Sequence, residues 1–385
     1  MRAVLPIIFL YGTGLCASMQ VGLIGPIAVT LRQQFDLTQA QFGLVASLIT
    51  VAGALCAIPT GIWAARLGLK QAVLAGGVTM LAGAIVFSQA DSVAFLYAGR
   101  VLTSIGYLLI VVGAPSWMPY FGNSRLVTLA MGLWGTFVPV GIALGTWTSA
   151  GLSAYFGWRI AVLGCALPVL LFAAPLLALQ KPPRDGFNRS LANGIIGVLR
   201  DKNALSIAMT FAIFAGTTSA TVAFMPAMLM DRLGISLTLA ASMIGITTIA
   251  GNIAGSLSGG ILLGKNTTGR LLLLTALPLM ATCIAIIYLA PGLLIVIIAL
   301  CGFNFGQGIV AGTCFAMLPR IAGRNLSMPA LQGMLAQFAE IFVVIIPPVS
   351  GFIIDDFAWT GAAIAFAAFY LISLIFARKR ITPAP

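Results

Sequence analysis

The sequence contains no histidine and only 8 acidic residues in 385. Without histidine the chain lacks the commonest metal ligand and the side chain that most often serves as a general base near neutral pH. Charged residues make up 7% of the chain, against about 25% in an ordinary soluble domain, so the surface cannot face water on all sides. These shortages exclude a soluble globular enzyme, a disordered chain and a nucleic-acid-binding domain. Cys16, Cys56, Cys165, Cys283, Cys301 and Cys314 stand singly inside apolar runs, without metal-site spacing or a disulfide framework. They read as small buried packing residues. No Walker loop, haem motif or catalytic triad is present, so neither a metal nor a cofactor is expected, and an enzymatic reading has no residues to stand on.

What is present is apolar length. Hydrophobic residues make up 60% of the chain and the mean hydropathy is +1.09. A helix needs about 20 mostly apolar residues to cross the hydrocarbon core. Runs of that kind lie at 3–31, 41–64, 71–87, 93–119, 126–151 and 160–179, and again at 204–230, 237–263, 271–289, 293–318, 328–354 and 360–376. Continuous runs of this length predict an all-α integral membrane protein with twelve spans and exclude a membrane β-barrel, whose strands would alternate over short segments. The first run is too long for a signal peptide and lacks a clear cleavage site, so it reads as a helix.

The basic residues orient the spans. With the N-terminus in the cytoplasm, the inner side holds Arg2, Arg66, Lys70, Arg125, Lys181, Arg184, Arg189, Arg200, Lys202, Lys265, Arg270, Arg320, Arg324, Arg378, Lys379 and Arg380, sixteen of the 20. Arg32, Arg159 and Arg232 fall outside, and Arg100 lies within the fourth span. This is the positive-inside pattern, so both termini are expected in the cytoplasm. The net charge of +12 is then a topology signal, not a nucleic-acid patch.

A polar stretch at 180–203 separates residues 1–179 from 204–385, six spans on each side. It opens with the helix-breaking Lys181-Pro182-Pro183-Arg184-Asp185-Gly186. It continues with Leu191, Ile195, Val198 and Leu199 at helical spacing, the pattern of a short amphipathic helix on the inner membrane surface. The two parts echo each other. Phe156-Gly157-Trp158 precedes the sixth span and Phe357-Ala358-Trp359 the twelfth. Gly61…Arg66-Leu67-Gly68-Leu69-Lys70 after the second span has a counterpart in Gly260…Lys265…Gly269-Arg270 after the eighth. Repeated halves are a transporter signature, with a solute site near the midplane between them.

Three segments carry a family resemblance. Gly61, Arg66, Gly68 and Lys70 resemble the loop signature of the major facilitator superfamily, although Ala65 stands where that signature has an aspartate. Gly99-Arg100 followed by Gly106 resembles its fourth-helix motif, and Gly157-Trp158-Arg159 resembles the common start of its sixth helix. Gly25-Pro26 and Met131-Gly132-Leu133-Trp134 loosely resemble the cyanate and nitroimidazole branch, whose early Met-Arg-Pro is absent. The resemblance implies two six-helix bundles that alternate access to a cavity lined by helices one, four, seven and ten. It also implies that the Gly61–Lys70 loop, with Arg66 and Gly68, takes part in closing the cytoplasmic side. Topology anchoring is the simpler alternative for Arg66 and Lys70, since cations are stabilised at helix C-termini.

On those helices the candidate solute contacts are Gln20, Arg100, Tyr107, Thr217, Asn304 and Gln307. Arg100 is the eighth residue of its run, where a charge is costly unless it faces a cavity or a partner. Its planar fork suits an anion; snorkelling to the outer interface is the alternative. Glu340 is the acidic residue placed deep in a span, and a carboxyl there is the candidate for proton coupling, with a structural hydrogen bond as the alternative. Gly135, Gly141 and Gly145 would let helices approach closely at an interface between the halves, and Pro139 would bend the fifth span. The reading that emerges is a monomeric secondary transporter of the bacterial inner membrane. It moves a small organic or inorganic anion together with protons, and its partners are the lipid bilayer and that solute, not nucleic acid. A drug or metabolite exporter and a non-transporting membrane receptor are the alternatives. The orientation is testable: a reporter active only outside the cytoplasm, fused after Pro385, should stay silent, and strong activity would reverse the topology.

Overall fold

A computed structural model describes residues 4–180, 191–264, 268–322 and 326–378. Most of the basic linker (Lys181, Arg184, Arg189), together with Arg2, Lys265, Arg324, Lys379 and Arg380, lies outside the described residues. The order of helices is α1 (Val4–Gly22), α2 (Ile24–Gln34), α3 (Gln39–Leu67), α4 (Leu69–Ser88), α5 (Val93–Trp117), α6 (Ser124–Trp134), α7 (Phe137–Ala166), α8 (Pro168–Ala173), α9 (Leu191–Arg200), α10 (Lys202–Leu233), α11 (Leu237–Gly264), α12 (Gly269–Leu289), α13 (Leu293–Ile321) and α14 (Met328–Ala377). Short 3-10 turns follow α5 and α8, and no strand occurs among the described residues. Several helix starts are set by polar caps. Thr38 and Gln41 form a reciprocal capping box on α3, and Asp201 accepts from the Ala204 N–H at the head of α10.

Among the described residues, ten helical stretches are long and apolar enough to span a membrane. Two are too long for one crossing: 137–178 has 42 residues and 328–377 has 50. At 1.5 Å per residue the latter would measure about 75 Å, more than twice the ~30 Å hydrocarbon core. Each is interrupted by a residue outside helical geometry, Gly157 (φ 80°) and Ala358 (φ 53°), so each is two spans, and the ten become twelve. The interruptions fall on the repeated Phe-Gly-Trp and Phe-Ala-Trp. Their tryptophans are anchored alike: Trp158 Nε1 donates to Gln34 Oε1 at 2.7 Å and Trp359 Nε1 to Asp231 Oδ2 at 2.7 Å. Val78, Ile246, Ile298 and Ile364 are exposed on the outsides of these helices, as lipid-facing residues must be.

The chain divides into two units. Unit 1 holds residues 1–127, 137–197 and 324–337, with its main packing between α4 and α5, α3 and α5, and α1 and α7. Unit 2 holds 128–136, 198–323 and 338–385, built on α11 and α12 against α13. Segments 128–136 and 324–337 therefore pack away from the sequence neighbours with which a division at 179 and 204 would group them.

Three local expectations change. The fifth span breaks at Gly135–Thr136, between α6 and α7, and not at Pro139, which falls in the first turn of α7 where its missing N–H costs no helical bond. Gly141 and Gly145 lie against α1 inside unit 1, at Ser18 and Met19, so they serve bundle packing and not an interface between halves. Cys56 and Cys301 are exposed, while the other four cysteines are buried, and all six are free.

Ala358 holds a backbone conformation that glycine occupies without strain and alanine does not. Ala358→Gly should therefore stabilise the protein by about 1 kcal/mol, net of the chain entropy glycine adds. A higher thermal midpoint in detergent would show this, and a lower one would mean that the conformation carries no strain.

Candidate functional site

In unit 1 the fourth-span motif is a clamp. Arg100 is 2% exposed, and its guanidinium donates to three backbone carbonyls: Nε to Val45 at 2.8 Å, Nη1 to Gln20 at 2.9 Å and Nη2 to Ala46 at 3.3 Å. One turn further along α5, Ser104 Oγ donates to the Ile49 carbonyl at 2.8 Å and accepts from the Ala52 N–H at 3.1 Å, tying itself to the backbone of α3. The planar fork expected to face a solute anion is thus enclosed and tied to helices α1 and α3. No carboxylate lies within ion-pair distance of it among the described residues. Gln20, expected independently, is brought to Arg100 through its main-chain oxygen, while its own Nε2 is buried without a hydrogen-bond partner. Tyr107 is buried seven residues beyond Arg100 on the same face of α5.

Unit 2 carries a second polar cluster, between α11 and α13. Asn304 Nδ2 donates to Thr247 Oγ1 at 3.2 Å and to the Leu300 carbonyl at 2.9 Å, and Asn304 Oδ1 accepts from Thr248 at 3.1 Å. Asn252 Nδ2 donates to Gln307 Oε1 at 3.0 Å, leaving the buried Gln307 Nε2 without a partner. Asn304 and Gln307 share a helix face, as their spacing implies. Thr217 is buried but uses its hydroxyl on the Ile213 carbonyl of its own helix at 2.7 Å. A cleft of about 490 Å³ between Ile246, Gly251, Cys301 and Phe305 is lined by apolar groups, the already bonded Thr247 and the weakly donating Cys301 thiol, so it offers a polar solute little. Glu340 in α14 is half-buried, with no hydrogen bond or ion pair among the described residues.

The loop residues divide by role. Gly68 (φ 108°) makes the turn between α3 and α4 that a side chain would strain. Lys70 Nζ reaches the carbonyls of Leu177 at 2.6 Å and Leu179 at 2.7 Å, closing the end of the sixth span. Arg66 is exposed at the end of α3. Gly61 is buried where an added Cβ would strike the Pro329 carbonyl. Arg159, Arg232 and Arg320 do at Ala90, Leu289 and Leu263 what Lys70 does at Leu177: each donates to a carbonyl at or just past a helix end, where the partial charge is negative. Sequence reasoning missed Ser104, Asn252 and the Thr247–Thr248 pair. The position of Ser104, four residues after Arg100 on one face, was the signal available for it.

The fold is an all-α, multi-pass membrane transport fold with polar side chains held inside its bundles. A profile of the Major Facilitator Superfamily matches residues 10–342, and the chain belongs to that family. The arabinose-proton symporter of Escherichia coli (strain K12) is 26% identical over 171 residues, 44% of this chain and 36% of that one. The probable nitrate transporter NarT of Staphylococcus aureus is 23% identical over 155 residues, 40% of this chain and 39% of that one. The chain thus spans less than half the length of these curated relatives. Among solved structures, the transporter FucP in the outward conformation superposes with a TM-score of 0.81 at 18% identity, covering 99% of this chain and 100% of that one. The human organic anion transporter MFSD10 superposes at 0.79 with 15% identity, covering 98% and 100%.

If Arg100 works as a clamp, lysine cannot replace it, because one ammonium cannot span three carbonyls in the plane of the guanidinium. Arg100→Lys should lower stability by about 1–3 kcal/mol, the cost of leaving a buried polar group unsatisfied. A thermal midpoint in detergent equal to wild type would contradict the clamp.

Proposed function

We propose that this chain is a proton-coupled secondary transporter of a small anion, working by alternating access in a bacterial inner membrane with both termini in the cytoplasm. The observation that carries the anion is the charge of Arg100. It sits inside the bundle without a carboxylate partner among the described residues, so its field favours a negative solute although its N–H groups are committed to carbonyls. The nitrate transporter among the relatives supports the same class. Gln20, Tyr107, Asn304 and Gln307 are the neutral groups we assign to solute contact, and Gln20 and Gln307 each retain an unused amide N–H. A neutral polyol is the second reading. It is favoured by the enclosure of the guanidinium, which leaves uncharged amide and hydroxyl groups as available donors, and by the arabinose-proton symporter.

Thermal-shift measurement against nitrate, small carboxylates and pentoses separates the two readings. Stabilisation by an anion, weakened as its charge is removed, supports the first, and stabilisation by sugars alone replaces it with the second.

Proton coupling is assigned to Glu340. It is an acidic side chain within a span, with no hydrogen bond or ion pair among the described residues. Glu340→Gln keeps the shape but cannot ionise. It should retain solute exchange between liposomes and their medium while losing accumulation driven by a pH gradient. Accumulation at the wild-type level in that variant would assign Glu340 to structure alone.

A further inference from the structure

Pro59 lies inside α3, eight residues before its end. A proline in a helix interior has no N–H, so the carbonyl four residues earlier, Leu55, loses its helical donor. In a bilayer such a freed carbonyl must be satisfied from elsewhere. The donor comes from 282 residues away: Gln337 Nε2 lies 3.2 Å from the Leu55 carbonyl. The same amide accepts, at Oε1, from the Ile58 N–H at 3.0 Å. A primary amide offers a donor and an acceptor side by side, which is what the proline-opened turn presents. The backbones meet closely around this contact. A Cβ on Gly61 would collide with the Pro329 carbonyl, and one on Gly333 with the Ala57 carbonyl. Ala57 and Ala330 add only methyl groups between them and are fully buried. Both strips belong to unit 1.

We propose that Gln337 is a positioning residue of the transport cycle: its amide replaces the hydrogen bond that Pro59 removes and so latches segment 329–337 onto the end of α3 that carries Arg66. The contact is reversible in a way an unbroken helix is not. Segment 329–337 can leave α3 without tearing either helix's own ladder, provided water reaches the Leu55 carbonyl as it goes. Opening the latch is therefore tied to hydrating that end of α3. The inference rests on the alternating-access reading but on neither the solute class nor the coupling role of Glu340.

The test uses the full chain with Cys56 and Cys301 replaced by serine and a cysteine introduced by Met334→Cys, a buried site of the same segment where cysteine adds no bulk. Labelling by a water-soluble maleimide is followed without solute or pH gradient, so an error in the solute or the coupling residue leaves the outcome untouched. Gln337→Leu should speed labelling by about tenfold, the equilibrium shift that two ordinary hydrogen bonds control. Gln337→Glu keeps the acceptor for Ile58 and loses the donor for Leu55, so it should give a smaller increase. The decisive arm is Pro59→Ala, which returns an N–H to α3. In that background Gln337→Leu should change labelling by less than about twofold, because no carbonyl is left unpaired. A tenfold effect of Gln337→Leu in both backgrounds, or none in either, would overturn the proposal. Should Gln337→Leu not fold, the Gln337→Glu comparison with and without Pro59→Ala decides on the same criterion.

Discussion

A backbone carbonyl that loses its helical donor inside hydrocarbon must find another, and much of the buried polar chemistry here meets that constraint. Pro26 leaves the Gly22 carbonyl without an N–H four residues on, and the Thr146 hydroxyl stands 3.1 Å from it. Pro59 frees Leu55, and Gln337 supplies the donor. Arg100 and Ser104 add donors to further carbonyls of α1 and α3, which have a second lone pair to offer. Lys70, Arg159, Arg232 and Arg320 each serve a carbonyl at the end of a neighbouring helix.

The shortage of acidic residues acquires a meaning in this light. With 8 carboxylates against 20 cations, a scheme built on side-chain ion pairs would leave most cations without a partner. Helix C-termini carry a partial negative charge that does the same work without burying a second full charge and its desolvation cost. Inside unit 1, Arg100 is held by main-chain carbonyls of α1 and α3 and not by a carboxylate among the described residues, which is why we assign an anion as the solute. Gln20 Nε2 and Gln307 Nε2 are among the buried polar atoms left without a partner among the described residues, which suits groups that we assign to solute contact.

Long apolar runs exposed the spans in the sequence, and the repeated Phe-Gly-Trp and Phe-Ala-Trp marked where the two longest helical stretches break. Glycine at 68 signalled its turn for the same reason: positive φ selects glycine strongly. The candidate site was less legible. Arg100 could be recognised as a costly charge, but its partners are main-chain oxygens, which leave no side-chain pattern to read. The pairing of Gln337 with Leu55 depends on two helices nearly 300 positions apart meeting, and no local periodicity encodes it. Cys56 and Cys301 were misplaced because hydropathy is nearly even around a span, so its lipid-facing and protein-facing sides look alike.

The account stands or falls on whether side chains from other helices complete the backbone of α3. Amide hydrogen exchange measured along α3 in wild type and in Ser104→Ala tests this most directly. If Ser104 holds the Ala52 N–H, the variant should exchange faster over residues 49–53, while α4 keeps its wild-type protection. Unchanged exchange across α3 in a folded Ser104→Ala protein would contradict the account, because the helix would then be complete without its neighbour.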